Sequence, residues 1–363
     1  MRNALSALAL AGLACARAPA HPAATSAVPD RATPPAQAAP AAALVYPGER
    51  HLKNVRQLTS GGVDNAEAYF SFDGRWLVFQ STRDGHGCDQ EYVMRTDGSD
   101  VHQVSRDAGR TTCGYFLPGD RRLLYAATAG PDCPPRPDMS QGYVWPLYHY
   151  QLVVANADGS DPRPLSPAPG YNAEATVSDD GWIVFTSTRD GDLDLYKMRL
   201  DGSGLTRLTD ALGYDGGAFF SRDGKRIVWR ASRPSTPEEA ADYRRLLEAG
   251  MVRPTIPLEI WTMDADGGNK RQVTRLGVAS FAPYFLPDGK RIIFSSNLKD
   301  PKGRNFDLYV VNDDGTGLEQ VTTFEGFDGF PMFSPDGRQL VFASNRNASK
   351  PRETNVFIAD WVE

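Results

Sequence analysis

Several short segments of the chain are continuously apolar, where an ordinary half-exposed strand would alternate between apolar and polar residues. Examples are LVFQS at 77–81, IVFTS at 183–187 and RIIFSS at 291–296. Such runs are typical of strands that are covered on both faces. The pattern therefore predicts strands buried between neighbouring sheets.

Each apolar strand belongs to a longer repeated unit. The stretch FPMFSPDGRQLVFASNR at 330–346 has five counterparts upstream, which begin at Ala68, Gly114, Ala173, Ala218 and Ala282. A unit continues with a third strand, a turn and a closing strand, as in LDLYKMR (193–199), LDGSG (200–204) and TRLT (206–209). Four strands per unit, repeated about every 40 residues, predict the blades of a β-propeller.

The turns of the repeats agree with this interpretation. In the first hairpin of the last unit, Pro335 presets φ, Asp336 bonds to its own backbone and Gly337 accepts a positive φ. NDDGTG at 312–317 repeats the device in a second hairpin. Both hairpins of a blade thus carry their own turn residues.

The ends of the repeated region complement each other. The sixth unit ends at NVFIADWVE (355–363) without a closing strand, whereas VRQLTSG (55–61) has the sequence of that strand and no unit before it. We expect the N-terminal strand to complete the last blade. The prediction is an all-β, six-bladed propeller over residues 54–363 with no open sheet edge.

The first residues have the pattern of an export signal. MRNALSALALAGLAC places a basic residue before a short apolar stretch that ends in small residues, so residues 1–15 are expected to be a signal peptide. Cys15 stands where a bacterial lipoprotein would be acylated, but Leu13 is two residues before it instead of three, so ordinary cleavage stays open. The Ala/Pro-rich residues 16–53 are expected to be a disordered tether. We expect a periplasmic protein or a lipoprotein anchored in the outer membrane.

Composition narrows the class of partner. The chain has 363 residues, 41% of them hydrophobic, and a formal net charge of −6. Beyond the first residues, no apolar run is long enough to cross a membrane, so membrane contact is expected only through a lipid anchor. Without a basic patch or stripe, nucleic acid is not expected as a partner.

The cysteines downstream of the tether are disulfide candidates in an exported protein: Cys88, Cys113 and Cys133. By the blade register all three are expected in loops on one face. We expect one disulfide and one free thiol, with Cys113–Cys133 and Cys88–Cys113 both open. A metal site that combines them with His86 is disfavoured, because no C-x-x-C pair is present and the chain has only five His. No metal and no other cofactor are expected.

The unit FSPDG…LVFASNR…LYVVNDDGTGLEQVT resembles the WD40-like repeats of the TolB family over essentially all of residues 54–363. The resemblance implies an exported propeller that binds other proteins. It extends to the propellers of prolyl oligopeptidases, but the chain contains no G-x-S-x-G nucleophile elbow, so a serine peptidase is excluded. A related oligogalacturonate lyase family uses a histidine-bound metal, for which the channel-side loops here supply too few His.

Acidic residues recur in the loops that enter the innermost strands. Glu67 and Glu174 occupy equivalent places, with Asp215 and Asp328 nearby, so carboxylates are expected around one mouth of the central channel, where they would attract a cation or a basic group. The alternative is structural, because an arginine recurs after the second strand of several units and could pair with these acids. Those arginines are Arg83, Arg189, Arg233 and Arg346.

Two long insertions are expected on the same face. The one in blade two carries Tyr143 and Trp145, aromatic residues suited to a protein or glycan contact, or else packed on the blade. The one in blade four predicts a helix, with Thr236 as N-cap, Pro237 at the first position and Gly250 after its end.

The sequence predicts a monomeric binding or scaffold module of the bacterial cell envelope. Its partner is expected to be an envelope protein or a glycan or peptide ligand, held at the insertion-bearing face by the residues named above. The alternative is an enzyme, a metal-dependent lyase or another glycan-active protein that uses the same face, since a fold does not decide a function.

Overall fold

The computed structural model describes residues 44–106, 109–135, 138, 140, 144–165, 168–253 and 257–363. The signal peptide, Cys15 and the tether up to residue 43 lie outside these residues. The described part contains one helix, α1 (Pro237–Glu248). Its strands are β1 (Leu52–Gln57), β2 (Asn65–Phe70), β3 (Trp76–Ser81), β4 (Gln90–Arg95), β5 (His102–Gln103), β6 (Thr111–Phe116), β7 (Arg122–Thr128), β8 (Trp145–Pro146), β9 (Tyr150–Asn156), β10 (Arg163–Pro164), β11 (Asn172–Val177), β12 (Trp182–Ser187), β13 (Asp194–Arg199), β14 (Thr206–Arg207), β15 (Asp215–Phe220), β16 (Arg226–Ser232), β17 (Met251–Val252), β18 (Leu258–Asp264), β19 (Arg271–Gln272), β20 (Ser280–Phe285), β21 (Arg291–Ser296), β22 (Asp307–Asn312), β23 (Glu319–Gln320), β24 (Asp328–Phe333), β25 (Gln339–Ser344) and β26 (Asn355–Trp361).

The strands form the six four-stranded antiparallel blades that the repeats predict. From the innermost strand outward, the blades are β2-β3-β4-β5, β6-β7-β9-β10, β11-β12-β13-β14, β15-β16-β18-β19, β20-β21-β22-β23 and β24-β25-β26-β1. The second strand of each blade is almost completely buried, as in the pattern of β12 and β21. The continuous apolar runs therefore mark the strands that are packed between blades.

The N-terminal strand closes the ring. β1 pairs antiparallel with β26, with Leu52 opposite Trp361 and Gln57 opposite Phe357. The last blade thus combines strands from both ends of the repeated region, and its outer edge is covered by β1. The predicted closure is confirmed.

The residues just before β1 are also packed on the propeller. Glu49 and Arg346 form an ion pair whose side chains are both fully buried, and Arg346 also donates to Asp328. The Tyr46 ring lies 5.0 Å from that of Phe324. The expected boundary at residue 54 therefore lies too far along the chain, because residues 44–53 provide a buried counter-charge for blade six.

Every innermost strand has the same backbone irregularity at its third residue. That residue has φ between 49° and 58°, in the left-handed region, and the pairing with the second strand shifts register there. Such bulges bend a strand and redirect a side chain. The six residues are Glu67, Cys113, Glu174, Gly217, Ala282 and Phe330.

Helix α1 confirms the helical insertion predicted for blade four. The Thr236 hydroxyl accepts a hydrogen bond from the Glu239 amide at 3.2 Å, and Pro237 begins the helix. The Glu239 carboxylate accepts from Ser235, the residue before the cap. Tyr243 is buried, and its hydroxyl donates to Asp192 in the loop between β12 and β13. The helix therefore packs against blade three.

The buried pair of Glu49 and Arg346 generates a stability prediction. Glu49→Gln removes one of the two carboxylates that face Arg346, so we expect the free energy of unfolding to fall by on the order of 2 kcal/mol, less than for a charge left with no partner. Arg163→Gln, which breaks the exposed pair with Asp161, is the matched control and is expected to change little. Urea unfolding compares the variants, and an unchanged stability in Glu49→Gln would show that the pair of Glu49 and Arg346 does not stabilise the fold.

Candidate functional site

The central channel is closed by aromatic side chains. Two residues after the bulge, four of the six blades carry an aromatic ring, and these rings meet across the axis: the Tyr69 and Phe219 centroids are 5.4 Å apart, and those of Phe219 and Tyr284 are also 5.4 Å apart. Tyr115 contacts both Tyr69 and Phe219. These rings form a floor, and the six bulge residues lie on its insertion-bearing side. We call the space bounded by the floor and the bulge residues the channel cup.

One wall of the channel cup is a saturated ionic network. The Glu174 carboxylate pairs with Arg230 and accepts hydrogen bonds from the Tyr214 hydroxyl at 2.7 Å and from the Thr186 hydroxyl at 2.7 Å. It also accepts from the backbone amide of Gly217 at 3.0 Å. Glu174 and Arg230 are each about nine-tenths buried. With this many partners, Glu174 stabilises the wall and has little capacity left for a ligand.

Arg230 reaches the channel cup only because blade four has glycine at the relevant positions. A Cβ atom on Gly217 would lie 2.6 Å from an Arg230 nitrogen, and one on Gly216 would overlap Glu174. Arg230 is not among the site residues predicted from the sequence. The available indications were an arginine within the apolar second strand IVWRAS and a glycine at the place where two other blades have glutamate.

Glu67 occupies the equivalent position in blade one but has a different environment. Among the described residues, no nitrogen or hydroxyl donor is hydrogen-bonded to its carboxylate, and the side chain beside it is the thiol of Cys113. Burial raises the pKa of Glu67 from 4.5 to about 7, against the opposing effects of Cys113 and Arg230. Glu67 stays half-buried, so its carboxyl is poorly solvated and still accessible.

A second buried carboxyl lies behind this wall. Glu91 on β4 is fully buried, neither of its side-chain oxygens has a hydrogen-bond partner in the described structure, and a Cβ on Gly114 would overlap it. Burial raises the pKa of Glu91 well above its ordinary value, and the nearby Glu67 adds to the shift. Burial therefore disfavours the charged form of Glu91.

The opposite wall is aromatic. Phe281 and Phe306 have centroids 5.2 Å apart, and Phe330 lies 5.5 Å from Phe281. Phe327 contacts all three rings. Phe306, Phe327 and Phe330 are half-buried and remain accessible from the insertion-bearing side. The channel cup thus has a polar half in blades one to four and an apolar half in blades five and six.

The two insertions join above blade three. β8 from blade two pairs antiparallel with β17 from blade four, with Trp145 opposite Val252 and Pro146 opposite Met251. Trp145 covers the polar wall, because Arg230 lies 5.2 Å from its ring centroid. Tyr143, the other predicted aromatic contact, lies outside the described residues.

Comparison with known proteins shows which propellers the chain is similar to. Residues 255–352 match the profile of the TolB β-propeller domain. The Tol-Pal system protein TolB of Francisella tularensis subsp. holarctica is 24% identical over 182 residues, 42% of either chain. This chain is a TolB-like six-bladed β-propeller. An uncharacterized protein of Agrobacterium fabrum is 27% identical over 149 residues, 40% of this chain and 46% of that protein. The matches span less than half of either relative.

Solved structures show the same TolB-like architecture at low sequence identity. A TolB candidate from Agrobacterium tumefaciens superposes with a TM-score of 0.56 at 18% identity, covering 85% of this chain and 94% of that one. A gluconolactonase from Xanthomonas campestris superposes with a TM-score of 0.55 at 16% sequence identity, covering 86% of this chain and 91% of that one. An oligogalacturonate lyase in complex with manganese superposes with a TM-score of 0.50 at 17% sequence identity, covering 85% of this chain and 93% of that one. At this identity only the fold is shared.

The arginines that recur after the second strand of the TolB-like blades brace the blades and do not reach the channel cup. Each donates to the first residue of its own innermost strand and lies over an aromatic ring of its own blade. The alternative pairing of the acids with these arginines is confirmed for Asp215 and Asp328. It is wrong for Glu67 with Arg83 and for Glu174 with Arg189, because the bulge residues are two positions further along the strand. The four pairs are Arg83–Asn65, Arg189–Asn172, Arg233–Asp215 and Arg346–Asp328.

Two of the predicted carboxylates belong to this bracing. Asp215 also accepts from the indole nitrogen of Trp229 at 2.6 Å, and burial raises its pKa to about 6. Asp328 is buried with Arg346. Of the four predicted acids, only Glu67 and Glu174 reach the channel cup.

The disulfide joins Cys88 to Cys133, and Cys113 is free. Both predicted pairings included Cys113 and are wrong. Cys113 is the bulge residue of β6 and faces the channel cup, whereas Cys88 and Cys133 lie in neighbouring loops. Cys113 occupies the same position in its repeat as Glu67 and Glu174 do in theirs, and this match in the sequence indicates that it lies at the channel.

Over the described residues, no three side chains of His, Cys, Asp or Glu converge as metal ligands. Near the insertions, His149 borders the surface cavity together with Asp190 and Asp192 without forming such a group.

The two glutamates of the channel cup are expected to respond differently to replacement by glutamine. Glu174→Gln leaves Arg230 buried with reduced compensation, so we expect a loss of about 3 kcal/mol in the free energy of unfolding. For Glu67 the folded state keeps a proton that the unfolded chain has lost between pH 4.5 and about 7, so Glu67 lowers stability as pH rises through this window.

We therefore expect Glu67→Gln to match the parent near pH 4 and to exceed its stability at pH 8 by on the order of 2 kcal/mol, allowing for partial exposure. Urea unfolding at both pH values measures this. A loss of stability at pH 8 in Glu67→Gln, or none in Glu174→Gln, would reverse the assignment of ligand-facing and structural carboxylates.

Proposed function

We propose that this chain is an exported binding module of the bacterial cell envelope that holds a protein or peptide partner on its insertion-bearing face. The observation that carries the proposal is the joining of the two insertions by β8 and β17. Elements from blades two and four cooperate there to build a surface that no single blade provides. Such added structure on a rigid scaffold is where binding residues usually lie.

The joined insertions border a cavity of about 540 Å³. Its lining combines apolar groups such as Leu147 and Leu247 with charged groups such as Asp190, Arg244 and Glu248. This size and mixture suit the side chains of a peptide segment. Since α1 supplies Arg244 and Glu248 and is held to blade three through Tyr243, the surface is formed before a partner arrives.

Export is supported by independent features. The first residues have the pattern of a signal peptide, and Cys88–Cys133 is a bond that persists in oxidising compartments. The name of one relative, a Tol-Pal system protein, agrees with an envelope role. In the described part of the chain, no helix has the length and apolarity needed to span a membrane. We propose a monomer that is periplasmic or anchored through a lipid on Cys15.

The alternative function, a glycan-active enzyme at the same face, depends on one observation. A half-buried glutamate with a pKa of about 7 is suited to general acid or base catalysis. Within the channel cup, Glu67 has no second carboxylate that could act with it as an acid or base, because Glu174 is saturated by its partners. The binding function is therefore the better supported of the two.

Capture from envelope extract tests the binding face. In this experiment the chain is crosslinked to bound proteins in the extract and then purified. We expect the double variant Arg244→Glu, Glu248→Arg to reduce recovery of the crosslinked partner by on the order of tenfold, because it reverses the charge pattern at the cavity. The variant keeps the net charge and the i, i+4 ion-pair spacing of α1, so the helix should persist.

Arg338→Glu, an exposed change in a turn on the opposite face, is the control and should leave recovery unchanged. Recovery is quantified by mass spectrometry. Equal recovery by the α1 variant and the parent, or a loss confined to Arg338→Glu, would place the partner elsewhere and overturn the proposal.

A further inference from the structure

The channel cup contains a carboxylate and an aromatic wall that the binding surface described above does not use. Glu67 and Phe330 are bulge residues of neighbouring blades, one and six, and both have left-handed backbone with φ of 51° and 55°. This conformation is unfavourable for residues with a Cβ atom, and glycine would relieve it, as it does at Gly217. The bulge is common to all six blades, but a glutamate and a phenylalanine are not needed to form it.

Glu67 lacks the partners that would make it structural. Glu174, in the same backbone position, receives an arginine, a tyrosine, a threonine and a backbone amide, whereas Glu67 faces the weak thiol donor of Cys113. A half-buried carboxylate without strong donors gains much from a cation that enters the site. The nearest fixed cation, Arg230, is already neutralised by Glu174.

The apolar half defines what the cation is attached to. Phe281, Phe327 and Phe330 form the aromatic wall of blades five and six, with ring centroids 5.5 to 6.3 Å apart. Blade six, which carries Phe330, is packed against blade one, which carries Glu67. Ring faces attract both apolar stems and ammonium groups. The floor at Tyr69 and Phe219 stops a ligand from passing through, so the site is a closed end that suits a short ligand.

We propose that the channel cup binds a primary ammonium group on an aromatic or apolar stem, with Glu67 as its counter-ion and the phenylalanine wall holding the stem. The ammonium can belong to a free amine or to a lysine side chain of a protein, because both present the same chemistry. This inference does not rest on the proposed partner surface.

Charge at the site fixes the pH dependence. The titratable or charged groups that face Glu67 are Cys113, Tyr69, Arg230, Glu174, Asp89 and the buried Glu91. Burial keeps the thiol of Cys113 and the phenol of Tyr69 protonated, since it raises the pKa of each. The pKa of Glu67 is about 7, so the counter-ion is lost below that pH while an alkylamine stays charged. Binding should therefore weaken as pH falls from 8 to 6.

Calorimetric titration with phenethylamine and its neutral isostere 2-phenylethanol tests the proposal. At pH 8 we expect the amine to bind on the order of tenfold more tightly than the alcohol. Glu67→Gln should remove this preference, and Glu325→Gln, which removes an exposed carboxylate from a loop on the same face, should keep it. Phe330→Gly, which also relieves the left-handed backbone, should weaken both probes.

Thermal melting confirms that each variant is folded, and Phe330→Gly provides a second test if Glu67→Gln fails to fold. Acetyl-phenylalanyl-lysine amide distinguishes the source: preference for it over phenethylamine indicates a protein lysine, and the reverse indicates a free amine. Absence of amine preference in the parent, or a preference that survives in Glu67→Gln, would overturn the proposal. Partner capture that is unchanged by Arg244→Glu, Glu248→Arg, with amine binding intact, would contradict only the proposed partner surface.

Discussion

The left-handed bulge at the third residue of each innermost strand is the constraint on which the organisation of this propeller depends. It interrupts the pairing between the first and second strands at the same point in all six blades and places the six bulge residues at one level of the channel. Because the backbone geometry at the bulge is the same in every blade, the chemical differences around the channel wall come from the side chains at that position. On one side of the channel lie Glu67, Cys113 and Glu174, together with Gly217, which leaves room for Arg230. Ala282 and Phe330 lie on the other side.

This division separates carboxylates that stabilise the fold from one that does not. Asp215, Asp328 and Glu49 are buried with arginines, and Glu174 is buried with Arg230. Buried charges of this kind are tolerated because each carboxylate is paired with an arginine. Glu67 is the exception within the channel cup, and the insertions place their shared sheet on the same side of the molecule. The chemical asymmetry of the channel and the added surface therefore occur on one face.

The fold could be predicted from the sequence because its determinants are local and repeated. Apolar second strands, turn residues and the displaced closing strand each recur or complement one another at fixed spacing, and the N-cap at Thr236 needs only neighbouring residues. The site was less predictable because it depends on offsets of one or two residues between strands. Arg83 and Arg189 were expected to reach Glu67 and Glu174 but brace Asn65 and Asn172. Cys113 was expected in a loop, whereas the bulge turns it into the channel. The union of β8 with β17 depends on contacts between blades two and four, which no local pattern encodes.

The central claim is that Glu67 is a poorly solvated, accessible carboxyl that the fold holds toward the channel cup without a structural partner. The most direct measurement is a carbon-13 NMR titration of the glutamate side-chain carboxyls, with the Glu67 resonance assigned by its loss in Glu67→Gln. The account predicts a midpoint near 7. A midpoint near the ordinary value of 4.5 would mean that Glu67 is solvated or paired like any surface carboxylate, and would contradict the account.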